Sequence, residues 1–348
     1  MPTIHELVTA RQIAAYIANK ASNNIPYLGE TLFPADKQIG LDLSWIKGSQ
    51  GLPVALMPSE FDAKATLRDR IGFDSIDTEM PFFREAMRIG EKDRQKLNQA
   101  LATNTSAYYE TLLRKIFDDV SNLVSGARVN PERMIMQLLS TGNIAIVANR
   151  IKYTYDYKFK SEHRLTLTGA SKWSETETAD VIGDIMIAQQ QVEDDTGTKP
   201  VNAICTLKTW GYILKNKAIR LDMNPVGGQN IIMTDAKMKE YLLEKLGLNV
   251  AVYNKKYALQ DGSSHQFFPD NVFTLIPEGQ LGKTWYGTTP EESDLLSGGT
   301  DVKVEIVNTG VAVTTIKEPH PVNVETIVSA IQLPSFERID DIYIIEVA

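Results

Sequence analysis

Residues 39–56 read IGLDLSWIKGSQGLPVAL. Ile39, Leu41, Leu43 and Trp45 fall at every second position, with Gly40, Asp42 and Ser44 between them. That is the period of a strand with one apolar face. Lys47-Gly48-Ser49-Gln50-Gly51 is turn chemistry, and Leu52, Val54 and Leu56 then resume the alternation. The stretch predicts a β-hairpin. Pro58 to Asp69 is polar, and Ile71, Phe73 and Ile76 predict a weaker strand ending near Met80-Pro81-Phe82-Phe83. Nothing in residues 21–90 can build a core of its own. A long extended segment of this kind is expected to be held by a neighbouring molecule, and its regular alternation argues against disorder.

Upstream, residues 1–20 predict an amphipathic helix. Thr3 and Glu6 stand at capping-box spacing, and Ile4, Leu7, Val8, Ile13 and Ile17 give an irregular apolar face. Asn23, Asn24, Pro26, Gly29 and Pro34 make residues 21–38 irregular. Downstream, helices are expected over Glu91 to Leu101 and Ser106 to Val124, with Gly126 suited to the end of the second. Asn130-Pro131 reads as the start of a further helix running to Gly142, followed by a strand from Ile144 to Phe159.

From Trp173 the pattern turns α/β. Helices are expected at Thr178 to Val192, Leu207 to Leu214 and Asp235 to Leu246. Strands are expected at Val201 to Cys205, Val250 to Tyr253 and Val272 to Ile276. Residues 288–301 read as an exposed loop. The remainder is β-rich: Val302 to Ile316, Val322 to Leu333 as strand or short helix, and Ile339 to Val347.

The chain has 348 residues, 43% hydrophobic and 23% charged, which suffices for two or three domains with real cores. Its net charge of −8 argues against a protein that grips nucleic acid by neutralising phosphates. The single cysteine, Cys205, lies in an apolar run and reads as a small buried hydrophobe. No signal peptide or transmembrane segment is expected.

Catalytic chemistry is not evident. His5, His163, His265 and His320 lack partners at metal-ligand spacing and read as surface or loop residues. Gly282-Lys283-Thr284 could end a phosphate-binding loop, but Pro277 stands where that motif needs glycine. Glu193-Asp194-Asp195 reads as a solvated turn. No catalytic residue, cofactor site or metal site is predicted.

Several stretches in order resemble the phage major capsid protein E family. They are Tyr27-Leu28-Gly29-Glu30-Thr31-Leu32-Phe33-Pro34, Leu41 to Gly48 leading to Leu52-Pro53-Val54, and Phe61-Asp62-Ala63 with Arg68-Asp69-Arg70. Glu79-Met80-Pro81-Phe82-Phe83, Gln137-Leu138-Leu139-Ser140-Thr141-Gly142 and Trp173-Ser174 follow. The resemblance covers roughly residues 25–195; between 206 and 300 it is architectural only.

The resemblance implies an α+β fold of the Hong Kong 97 type. An N-terminal arm (1–38) and an extended β-hairpin, the E-loop (39–88), would precede a peripheral domain with a long spine helix (89–172). An axial domain (173–301) and return strands of the peripheral domain (302–348) would follow. It further implies a major capsid protein of a tailed bacteriophage, assembling with itself as pentamers and hexamers into an icosahedral shell around DNA that it does not bind specifically. A separate scaffolding protein, a portal and a decoration protein are the partners it suggests, with the virion capsid as its place and the host cytoplasm as its site of assembly. Leu41, Leu43, Trp45, Leu52 and Val54 are the expected E-loop contacts, and Arg68 and Arg70 the expected intersubunit ion pairs. A cellular nanocompartment shell of the same fold and an unrelated α/β enzyme are the alternatives.

Overall fold

The structure, a computed structural model, describes residues 9–21, 26–47, 74–92, 95–96, 99, 106–148, 151–227, 232–259, 261–297, 303–319 and 322–348. α1 (Ala10–Ala21) and the one-turn α2 (Leu28–Leu32) lead into β1 (Ala35–Lys37) and β2 (Asp42–Lys47). Then come β3 (Asp74–Glu79), β4 (Phe82–Ile89), α3 (Ser106–Thr141), β5 (Asn143–Ala148), β6 (Ile151–Asp156) and β7 (Arg164–Thr166). They are followed by α4 (Val181–Thr196), β8 (Asn202–Cys205), α5 (Leu207–Lys215), α6 (Lys217–Met223), α7 (Asp235–Leu246) and β9 (Asn249–Val252). The chain closes with β10 (Lys256–Ala258), β11 (Ser264–Gln266), β12 (Val272–Ile276), β13 (Lys283–Tyr286), α8 (Pro290–Ser297), β14 (Lys303–Val307), β15 (Val311–Pro319), β16 (Val322–Ser335) and β17 (Tyr343–Glu346).

These elements form two compact units. The first takes Met1–Leu43, Asp77–Met134 and Lys283–Ser335; the second takes Ser44–Ile76, Ile135–Gly282 and Phe336–Ala348.

The first unit is built on a sheet of order β1-β13-β16-β15-β14, with β4 also paired to β16. Val311, Val313, Val324, Val328 and Ala330 form its apolar face, and Ile13 of α1 with Val120, Val124 and Ala127 of α3 cover it. The N-terminal helix therefore docks on its own chain. Tyr16 stacks on Phe117 at 5.4 Å and donates to Asp118 Oδ1 at 2.9 Å. The predicted Thr3/Glu6 capping box lies outside the described residues. A reciprocal box is present six residues later: Gln12 N donates to Thr9 Oγ1 and Thr9 N to Gln12 Oε1, both at 3.3 Å.

The two helices expected on either side of Gly126 are one, with Pro131 inside it. Proline removes an N–H and so strands the carbonyl four residues back. That carbonyl, Ala127 O, accepts instead from the buried Gln332 Nε2 of β16 at 3.0 Å. A distant side chain thus replaces the missing backbone donor. Nearby, the irregular stretch expected before β1 contains α2, whose Gly29 N–H is taken by the buried carboxylate of Glu132 at 2.9 Å.

The second unit carries a sheet of order β7-β17-β12-β8-β9. Trp173, Ile185, Ala188, Val192, Trp210, Leu242 and Phe273 pack in its core. Asp180 caps α4 by accepting from Gly183 N at 2.9 Å, and Gly197 ends it at φ 73°. The single strand expected from Ile144 to Phe159 is two, β5 and β6, paired antiparallel. Cys205 is buried, as expected. β10 and β11, not expected from the sequence, form a separate antiparallel pair.

One further expectation is corrected, and of two alternatives one is found. Residues 290–297 are helix rather than loop, because Thr289 Oγ1 accepts from Glu292 N at 3.3 Å and Pro290 stands at the first helical position. Residues 322–335 are strand throughout, paired along their length with β15, β4 and β13.

Candidate assembly surface

Among the described residues β2 and β3 pair only with each other. Alternation divides their side chains. Leu43 is 1% exposed and Trp45 is 7% exposed, and Trp45 packs on Tyr157 with ring centroids 5.2 Å apart. These two expected E-loop contacts are spent on the chain's own core, so they have little surface left for a neighbour. Ile46, on the opposite face, is 54% exposed, and Leu41, just before β2 on the side of Leu43 and Trp45, is 41% exposed. Leu52, Val54, Arg68 and Arg70 lie outside the described residues.

The ribbon is anchored where β2 ends. Lys47 Nζ donates to Lys158 O at 2.5 Å and lies 3.4 Å from Asp340 Oδ1, with both side chains largely buried. Lys160 continues the chain of charges, 2.5 Å from Asp195 Oδ2 and 3.8 Å from Asp340 Oδ2. His163 completes it, with Nε2 3.3 Å from Asp195 Oδ2. Sequence reading missed this cluster. It took the 193–195 triplet for a solvated turn and His163 for a surface residue. Glu193, Asp194 and Asp195 are solvent-exposed, as expected, but in the last turn of α4, where Asp195 pairs with Lys160 and His163, whereas His163 is buried and stacked near Tyr343.

The hydrogen-bonded Lys160 ammonium holds the Asp195 carboxyl below its ordinary range, and burial pushes the His163 imidazole below 6.5. A depressed folded pKa means the unfolded chain binds protons first as pH falls. The His163 contribution is therefore complete above about pH 6.5 and lost as pH falls toward its folded pKa. We expect the melting temperature to drop between about pH 7 and pH 5, with His163→Gln removing the upper part of that drop in thermal melts followed by circular dichroism.

No catalytic relay is assembled from the described residues. Ser263 Oγ contacts His265 Nε2 at 2.9 Å, but Asp261 Oδ1 accepts from that same hydroxyl at 2.6 Å. The serine stands between acid and imidazole, so the acid does not orient the histidine as a triad requires. Lys283 lies in β13 with its ammonium 2.7 Å from Asp36, not at the end of a phosphate loop. Among the described residues no three His, Cys, Asp or Glu side chains gather for a metal ion, and no helix is long and apolar enough to cross a membrane. Arg84 and Arg88 are paired within the chain, with Glu291 at 2.6 Å and Glu325 at 3.0 Å.

The sequence profile of the Phage major capsid protein E family matches residues 9–347. The chain belongs to this family. No curated protein sequence matches it. Two solved structures share the fold of this capsid family member across nearly their whole length. A protein described as a capsid protein of an Escherichia coli CFT073 prophage has 16% identity and a TM-score of 0.59, over 98% of this chain and 99% of that one. A phage-related protein from Bordetella bronchiseptica RB50 has 12% identity and a TM-score of 0.56, over 95% and 96%. The fold is that of Hong Kong 97-like capsid proteins. This family member is a major capsid protein of a tailed phage, a structural protein whose place is the virion shell.

Proposed function

We propose that this chain closes its shell by laying the β2–β3 ribbon on a neighbouring copy. The supporting observation is the ribbon itself. Among the described residues these two strands pair with no third, and such a ribbon is marginal alone; Ile46 lies open on one face and Leu41 is partly open before β2, while Leu43 and Trp45 tie the root down. Docking on a neighbour would cover Ile46 and the open part of Leu41, and in this reading Leu52, Val54, Arg68 and Arg70 join the contact. In this reading residues 1–38 are the arm, 39–88 the E-loop, 89–172 and 302–348 the peripheral domain, and 173–301 the axial domain. Copies form pentamers and hexamers, and heterologous contacts that close around rotation axes make the rings that tile an icosahedral shell. A scaffolding protein supplied separately, a portal and a decoration protein are its partners, and assembly takes place in the host cytoplasm. The net charge of −8 suits a wall that encloses DNA without adhering to it. The protein performs no catalysis.

Electron microscopy of the purified chain, expressed with and without its neighbouring genes, tests this reading. Shells, tubes or rings are expected; a uniform small particle at every concentration would overturn it. Leu41→Asp should abolish closed shells while costing the unassembled subunit roughly 1 kcal/mol or less, because the position is half open to solvent. Normal shells from that variant would remove Leu41 from the contact.

A further inference from the structure

We propose that Gly287, Glu291 and Glu292 form a clasp that sets the direction in which the two legs of the β2–β3 ribbon leave the first unit. The inference rests on the shell-building reading and deepens it. A fixed direction decides where a neighbouring copy is met, and so the curvature of the shell.

One leg runs from β1 through Gly40 to Leu41, and the other runs from Met80 into β4. Met80 N donates to Leu41 O at 2.9 Å, so the legs touch as they leave. They converge on Gly287. A Cβ at that position would stand 2.7 Å from Gly40 O, 2.8 Å from Met80 Cε and 2.8 Å from Ile331 Cγ2. Such distances lie well inside van der Waals contact. Both legs therefore rest against bare backbone, which glycine alone supplies.

One helical turn further on, α8 takes a cation from each leg. Glu291 Oε1 accepts from Arg84 of β4 at 2.6 Å, and Glu291 Oε2 accepts from Ser329 Oγ of β16 at 2.9 Å. Glu292 Oε1 accepts from Lys37 Nζ of β1. The two carboxylates are neighbours in the first turn of α8, which Thr289 caps. A shift of that turn moves both cations together.

Stability alone does not account for these acids. Ion pairs with a partly open partner add little, and the Arg84 and Lys37 side chains are 47% and 31% exposed. Glu292 Oε2 is buried without a hydrogen-bond partner among the described residues. That is an unfavourable state for a carboxylate oxygen. A well-packed apolar side chain would serve a rigid fold as well. What the adjacent acids supply is position: both legs are tied to one turn of one helix.

The test uses the full chain, first as the unassembled subunit. Glu291→Gln and Glu292→Gln should each keep the wild-type circular dichroism spectrum and melt within about 4 °C of it. Amide hydrogen exchange, read by mass spectrometry over residues 35–43 and 77–89, should quicken about threefold to fivefold in both stretches for either variant. Loosening confined to the leg whose cation is lost would overturn the clasp. The second readout is taken where the wild type assembles. Both glutamine variants should give shells of shifted or broadened diameter, or open tubes, by electron microscopy. Gly287→Ala, whose methyl group drives the legs off the backbone, should do the same. Wild-type diameters from both glutamine variants would overturn the proposal. Failure of the wild type to form any shell would instead overturn the shell-building reading, and exchange in the unassembled subunit would still decide the clasp.

Discussion

Gln332→Leu destabilises the first unit by about 1–3 kcal/mol, and Pro131→Ala gives much of that back. The first effect follows from a stranded group. Pro131 has no N–H to donate, so Ala127 O depends on Gln332 Nε2 at 3.0 Å. Leucine fills much of the glutamine's volume but offers no donor, and a buried unsatisfied carbonyl costs about 1–3 kcal/mol. Pro131→Ala returns the backbone N–H to the helix, so the carbonyl regains a partner within α3. Alone, that change should be nearly neutral or stabilising, because proline inside a helix costs roughly 3 kcal/mol before compensation. Combined with Gln332→Leu it should yield a coupling of at least about 1 kcal/mol in a double-mutant cycle. Urea unfolding followed by circular dichroism measures all four corners. Strict additivity would mean that the glutamine packs without compensating the proline.

Trp173→Ala has the larger effect, in the second unit. The indole is fully buried and meets Phe273 edge-on at 5.1 Å. Removing a core tryptophan costs about 3–5 kcal/mol. A second loss adds to it, because Trp173 Nε1 donates to Asp184 Oδ2 at 2.9 Å and burial already raises that carboxyl's pKa. Trp173→Phe separates the two contributions. It keeps most of the apolar contact and removes only the donor, so it should cost about 1–2 kcal/mol. The remaining carboxyl should then titrate at still higher pH, and because a raised folded pKa means the folded state binds the proton first, the variant should recover stability on acidification from a higher pH than the wild type. Equal costs for the two variants would show that packing at this site is minor.

How far the fold can be read from the chain depends on the range of the forces involved. The alternation around Leu41, Leu43 and Trp45 is local, and β2 follows it. Which face turns inward is not local: it is decided by Tyr157, far along the chain. So the strand was legible and the fate of Leu43 and Trp45 was not. Pro131 is similar. Asn130-Pro131 has every mark of a helix start, and only Gln332 makes it a helix interior. The charge cluster draws Lys47, Lys160, Asp195 and Asp340 from separate turns, and no spacing rule joins them. By contrast Thr289-Pro290-Glu291-Glu292 carries a local helix-start signal, so this helix was legible although the segment was expected as loop.

β16 lies between β15 on one side and β4 and β13 on the other, and β17 lies between β7 and β12. The strand within each sheet that joins its neighbours is thus among the last of these residues to leave the ribosome. Until residues 322–346 have been translated, β4 and β7 lack the strands they pair with among the described residues, although β4 was made more than two hundred residues earlier and β7 well over a hundred. Distant pairings of this kind slow folding. They also time it: a nascent chain cannot present a finished surface to another copy, so growth of the shell is restricted to subunits whose synthesis has passed both closing strands.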